Sequence, residues 1–492
     1  MNKKVNTGFK LSVLTLIIMN VTAVVSLRGL HSEAVYGLSS AFYYLFAAVV
    51  FLIPTAMVAA ELAAMFSDKE GGMFRWVGEA LGGRTGFLAI WLQWLESTIW
   101  YPTVLTLGAV SLAFVGLNTA HDIQLASNKI FTLGVVLVIY WLATFISLKG
   151  LGWVGKISKI GGIVGTIVPA SVLIILGIIY LATGGQNHID MSRGFIPDLS
   201  RFDNLVLASG IFLYYSGMEV MGVHVTEIDN PKKNYPRAIF IGALITVCIL
   251  IFGTFALGLV IPASEINLTQ SLLVGFENYF NYLRIGWASS IIAVALSFGV
   301  LAGVLTWVAG PSKGIFTVGK AGYLPKFFQR TNSIGVQKNI LFVQEAIVTV
   351  LCLLFVVMPS VQSFYQIFSQ LSVILYLIIY ILMFTSVIVL RYRMPDAERP
   401  FRIGKRNGLL WFIGLLGICS SVHTLSLSFI PPSQITTGSD VVWFSVLIGG
   451  ALLVIIAPFV IYALRKPSWK NNGEEDSFQP FHWEKTNDNE VR

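Results

Sequence analysis

Two places in this sequence put polar, charged and helix-weakening residues inside apolar runs, and both are suited to holding a ligand. The first, "SLRGL" (26–30), brings Ser26, Arg28 and Gly29 into the far end of the first run. The second, "YSGME" (215–219), brings Tyr215, Ser216 and Gly217 into the sixth run, with Glu219 just beyond. A helix that unwinds at such a point frees backbone N–H groups, and these favour carboxylates and other anions. An arginine beside them adds a planar fork that takes a carboxylate through two parallel hydrogen bonds. The chemistry on offer is recognition of an acid or a zwitterion. No metal-ligand spacing, nucleophile–base constellation or phosphate-cradling loop occurs in the sequence, so no enzyme activity, cofactor or metal is expected.

Arg28 has two readings. In the outer part of a span, its long side chain can snorkel to the interface. Facing a cavity instead, it would belong to the intramembrane charges that cost about 2.5–3.5 kcal/mol on insertion scales and usually serve function. There it would bind a substrate carboxylate, or hold Glu33 or Glu219 neutralised. Glu219 is open between a structural hydrogen-bonding role and a proton or gating role. Glu96, in "QWLESTIWYP" (93–102), divides evenly between a scaffold hydrogen bond and the cavity. Glu61 reads as interfacial, and His224 as a structural residue near a helix end.

The elements that must position these residues follow from composition. Of 492 residues, 55% are hydrophobic and 12% charged, against about 25% charged in soluble domains. Twelve apolar stretches approach or exceed the roughly 20 residues that a spanning helix needs: 9–33, 36–65, 84–116, 129–148, 156–183, 203–227, 237–261, 286–312, 339–358, 365–390, 408–430 and 441–464. No barrel-type alternation is present. The expected class is therefore an all-α polytopic membrane protein. Its N-terminal "MNKKVNTGFK" precedes an uncleaved first span. Cys248, Cys352 and Cys419 all lie within spans, so no disulfide framework is implied.

The net charge of +8 invites a nucleic-acid partner, and its distribution argues against one. With the N-terminus inside, 28 of the 33 Lys and Arg residues fall in inner loops and tails. That asymmetry is the positive-inside pattern, and it puts both termini in the cytoplasm. The partner expected instead is the lipid bilayer. Interrupted spans at matching positions of two halves point to a transporter's substrate site. Spans one and six match if the chain is two inverted five-helix repeats, about 9–183 and 203–390, followed by two helices at 408–464. The transporter domain is then 1–465, and 466–492 is a cytoplasmic tail.

Three motifs carry a resemblance to a known family. "EGGMFRWVGEALGG" (70–83), "GMEVMGVHVTEIDNPKKNYPRAI" (217–239) and "GVLAGVLTWVAGPSKGIFTVGKAGYLP" (299–325) resemble signatures of the amino acid–polyamine–organocation transporters. The likeness is closest to the family of bacterial glutamate/γ-aminobutyrate antiporters. It implies a LeuT-like fold with helices 1 and 6 broken, and an amino acid as the small-molecule substrate. It also implies a site tryptophan at Trp307 and a tyrosine pair at Tyr376 and Tyr380, whose i, i+4 spacing sets both rings on one helix face. Two positions depart from the family pattern: Gly303 stands in place of a glutamate, and Arg28 in place of a tyrosine.

The tail 474–492 contains Phe478, Phe481, His482 and Trp483, more aromatics than a plain disordered segment usually carries, and an ordinary solvated tail is the alternative reading. The resemblance implies a pH-sensitive plug over the cytoplasmic mouth, with His482 as the natural titrating group. The expected function is exchange of a glutamate-like amino acid for an internal amino acid or its decarboxylation product. An ion-coupled uptake symporter and a non-transporting sensor on the same fold are the alternatives.

Overall fold

A computed structural model describes residues 10–25, 27–191, 194–197, 209–358, 360–431, 439–470 and 478–484. Among these residues the secondary structure is helical, apart from one isolated β-bridge between Leu11 and Ile228. Nine helices among them are long and apolar enough to cross a membrane. The expected spans 84–116, 203–227 and 339–358 are not in that group. The first forms a 31-residue helix carrying Arg84 and Glu96, the second is interrupted, and the third is the 20-residue helix Lys338–Val357.

Eight helices position the site: α1 (Val13–Val24), α2 (Leu30–Ala34), α3 (Met73–Leu81), α4 (Gly83–Ala113), α5 (Gly210–Tyr214), α6 (Pro231–Val260), α7 (Ala288–Lys320) and α8 (Val361–Arg393). The hydroxyl of Ser12 caps α1 by accepting the Thr15 N–H. α1 then stops at Val25, whose backbone is extended, and a single 3-10 turn, Leu27–Gly29, leads into α2. A Cβ at position 29 would lie 2.5 Å from the Tyr214 ring, so this turn meets α5 closely only as glycine.

The second interruption follows α5. Gly217 has φ +111°, a region side chains rarely adopt, and a Cβ there would lie 2.7 Å from the Trp307 ring. A 3-10 run, Val220–Glu227, continues to Asn230 in the left-handed conformation, and α6 then begins with Pro231 at its first position. The two interrupted elements are tied at their ends. Leu11 N–H donates to Glu227 O at 2.9 Å, and Asp229 N–H donates to Leu11 O at 3.1 Å.

Glu61, read as interfacial, is buried. Arg391 Nη2 donates to both of its oxygens at 2.7 and 2.9 Å, and the Ile403 N–H donates to Oε2 at 2.6 Å. The sequence gives no hint of this because the partner lies 330 residues away. The described ends of the chain share one face of the molecule: Lys10 reaches Thr226 O, and residues 478–484 lie on α3.

Gly217→Ala is expected to cost about 2 kcal/mol or more, from strained φ and the collision with Trp307. Thermal unfolding in detergent should show a lowered midpoint. Gly134→Ala, where a Cβ meets open space, should leave the midpoint unchanged or raise it.

Candidate functional site

The two interruptions face a row of aromatic side chains. Arg28 is 2% exposed, so it does not reach the outer interface. Its Nη1 donates to Thr103 Oγ1 at 2.6 Å, and its guanidinium carbon lies 5.3 Å from the Trp100 ring and 5.2 Å from the Tyr365 ring. Cation–π contacts of this kind strengthen where water is excluded. The row continues from Trp100 to Trp307 at 5.5 Å, Trp307 to Tyr376 at 6.0 Å, and Tyr376 to Tyr380 at 5.0 Å between ring centroids.

Glu219 closes the other end. Tyr376 OH donates to Oε1 at 2.5 Å, Tyr380 OH to Oε2 at 2.7 Å, and Gln93 Nε2 to Oε1 at 2.8 Å. Tyr380 OH also accepts the Gly217 N–H at 2.8 Å. One phenol thereby satisfies a backbone donor freed by the break and a buried carboxylate at once. Trp307 Nε1 donates to Ala23 O at 3.0 Å, doing the same for a carbonyl near the end of α1.

α4 brings its groups to the site as a stripe. Gln93, Glu96, Trp100 and Thr103 recur at intervals of three and four residues and so share one helix face. Glu96 is 3% exposed, and its Oε2 has no hydrogen-bond partner among the described residues. Sequence reasoning singled out Glu96 and missed Gln93, Trp100, Thr103 and, on α8, Tyr365. The signal was present in the polar and aromatic spacing of "QWLESTIWYPT". Tyr215 and Ser216 turn to backbone, with Tyr215 OH donating to Tyr44 O at 3.1 Å and Ser216 Oγ to Phe212 O at 2.6 Å. Ser26 lies outside the described residues.

The centre is closed. A cavity of about 40 Å³ lies among Thr22, Leu27, Trp100 and Gly303, and another of about 20 Å³ among Ser32, Tyr214, Tyr365 and Gln370. Such volumes admit water, whereas ligand pockets run to roughly 300–1,000 Å³. Passage of a solute therefore requires these elements to move apart.

Residues 11–453 match the family model described as amino acid permease. The chain belongs to that family. It is therefore a multi-pass membrane transporter with a small-molecule cargo. An uncharacterized transporter of Legionella pneumophila is 37% identical over 92% of this chain and 96% of its own length. A glutamate/γ-aminobutyrate antiporter of Lactococcus lactis is 33% identical over 88% of this chain and 86% of its own. A probable agmatine/putrescine antiporter of the same organism is 26% identical over 87% and 89%.

A second cluster lies on the face that carries the chain ends. Phe481 is wholly buried, stacked on Trp483 at 5.4 Å and set edge-on to Phe74 at 5.4 Å. Arg75 lies 4.1 Å over Phe478 and 5.0 Å over Phe481, and its Nη2 donates to Gln479 O at 2.6 Å. Trp483 Nε1 donates to Gly78 O at 3.0 Å. The Glu79 carboxylate accepts the His482 backbone N–H at 2.8 Å and pairs with Arg75 at 3.2 Å. His482 is itself exposed. Burial pulls the Arg75 guanidinium below the usual arginine range, and Glu79 beside it opposes the shift.

Tyr380→Phe removes a donor to Glu219 and the acceptor for Gly217 N–H. It should destabilise the protein by about 1.5–3 kcal/mol, the range for hydrogen bonds to charged groups, read as a lowered unfolding midpoint. Tyr376→Phe, which removes only one such bond, should cost less.

Proposed function

We propose that this chain is an antiporter of the plasma membrane that exchanges a glutamate-like amino acid for a γ-aminobutyrate-like one by alternating access. The observation that carries the reading is a buried arginine at the first helix break, aligned through Trp100, Trp307 and Tyr376 with the second break. The freed N–H groups suit an α-carboxylate. The Arg28 fork suits a second carboxylate, which glutamate has and a neutral amino acid lacks. The antiporter of Lactococcus lactis, similar over most of both chains, supports the same pair of solutes. Internal decarboxylation of glutamate consumes a proton, so export of the product removes a proton equivalent.

In this reading the chain is two inverted five-helix repeats plus two helices, and the positive-inside pattern puts both termini in the cytoplasm. Glu219, held by Tyr376, Tyr380 and Gln93, is the floor of the site, and Glu96 is the group free to meet a substrate ammonium. Residues 478–484 act as the plug. They engage the loop helix α3 through Arg75 and Glu79, with the aromatic residues supplying most of the buried surface.

Counterflow in proteoliposomes tests the exchange. Vesicles loaded with γ-aminobutyrate or glutamate should take up labelled glutamate, and vesicles loaded with buffer alone should not. Uptake into unloaded vesicles that follows an ion gradient would establish a symporter instead. Arg28→Ala should raise the half-saturating glutamate concentration about tenfold, equivalent to about 1.4 kcal/mol of binding. Undiminished glutamate transport by that variant would remove Arg28 from the site. Deleting 471–492 should speed exchange at neutral pH and flatten its dependence on acidification; an unchanged pH profile would reject the plug.

A further inference from the structure

A cavity of about 530 Å³ opens on the face that carries the chain ends, lined by α7, residues 224–227 and the turn around 147–154. It is separate from the aromatic row. Lys313, on its wall, is six residues along α7 from Trp307, about 9 Å at 1.5 Å per residue. Its volume falls in the range of ligand pockets, which the central cavities do not reach.

The walls carry groups of both signs. Lys313 pairs with Glu227 at 2.6 Å and Lys320 with Glu70 at 2.8 Å. Lys149 also lines the cavity and has no ion-pair partner among the described residues; it lies 5.3 Å over the Trp153 ring. That leaves one positive charge in excess over the two carboxylates. Two residues that line the cavity each carry a buried polar atom with no hydrogen-bond partner among the described residues: His224 Nε2 and Ser147 Oγ, each on a residue 3% exposed.

The histidine sets what it accepts. Its Nδ1 lies 2.7 Å from Glu227 Oε2, and an ionised carboxylate only accepts, so Nδ1 carries the proton. In the neutral ring Nε2 is then an acceptor, matched to an ammonium group. Lys149 and the Ser147 hydroxyl are donors, matched to a carboxylate. A ligand carrying both an ammonium and a carboxylate satisfies the wall, whereas a diamine or a dicarboxylate satisfies half of it.

We propose that this cavity is a second amino-acid site, which a zwitterionic solute occupies on the cytoplasmic side before it enters the centre. The choice of solute rests on the amino-acid exchange proposed above, and the cavity chemistry does not. A solute carboxylate arriving here also competes with Glu227 for Lys313, so loading the site loosens the tie between residues 220–227 and α7.

The test is a cysteine on the cavity wall. Ala309 lines the cavity one helical turn from Lys313 and is partly exposed. Ala309→Cys is placed in a Cys248→Ser, Cys419→Ser background, which leaves only the buried Cys352. Alkylation is followed by mass spectrometry on the purified full-length protein. γ-Aminobutyrate and glutamate should slow alkylation, and putrescine and glutarate should not.

Adding Lys149→Gln, on an exposed turn, should raise the half-protecting concentration about fivefold, since one charge of the site is lost. Adding Trp307→Phe should leave protection intact. Protection that disappears with Trp307→Phe, persists unchanged with Lys149→Gln, or is matched by putrescine and glutarate overturns the proposal, as does absence of protection. Protection in the expected pattern without counterflow exchange would keep this site and refute the exchange reading.

Discussion

Two helices that stop partway through a bilayer leave backbone groups that lipid cannot satisfy, and every such group costs several kcal/mol if left alone. The rest of the site is arranged around that requirement. Trp307 reaches across from α7 to the Ala23 carbonyl, and Tyr380 reaches from α8 to the Gly217 N–H. Both residues are large aromatics whose bodies fill the gap and whose polar tips find the orphaned group. A simple apolar side chain would fill the volume and leave the break unsupported. Trp307 and Tyr380 thus hold the backbone and line the centre through the same side chains. A substitution at either cannot separate the two roles by activity alone.

The same economy governs the buried charges. Glu219 is held by three neutral donors from two helices rather than by a cation. Glu61 is held by Arg391 and Arg399, which fasten its helix to the end of α8 and to the loop that follows. Breaking a buried pair strands the surviving charge, which usually costs more than the pair contributed. The Glu61 cluster therefore suits a joint that stays closed. Glu219, held by phenols and an amide, can lose one donor at a time, which suits a joint that moves.

How much of this was legible depended on range along the chain. The break positions were accessible because glycine and charge are local signals, whereas Trp307 and the tyrosine pair were singled out by the family resemblance. Arg28 left two readings open, because burial at a membrane edge depends on neighbours that sequence does not name. Its neighbours proved to be Thr103, Trp100 and Tyr365, up to 337 residues away by residue number. The α4 stripe was written in the sequence but hidden inside a run whose aromatic residues look like ordinary packing. The docking of 478–484 on Arg75 was foreshadowed by aromatic composition. The acceptor helix was not, since "EGGMFRW" reads only as part of a family signature.

Among the described residues, contacts of two kinds close the centre. Among the described residues, neutral contacts on the face away from the chain ends include Ser32 with Tyr214 at 3.1 Å, Gln370 with Ser209 at 3.3 Å, and His31 with the Leu268 carbonyl. On the face with the chain ends, ion pairs join residues 220–227 and the loop before α3 to α7, through Glu227 with Lys313 and Glu70 with Lys320. Partly exposed ion pairs contribute little, about 0–1 kcal/mol each, and salt or a charged solute weakens them. Neutral buried hydrogen bonds do not respond to ionic competition in that way. A charged solute therefore competes directly with the pairs of Glu227 and Glu70.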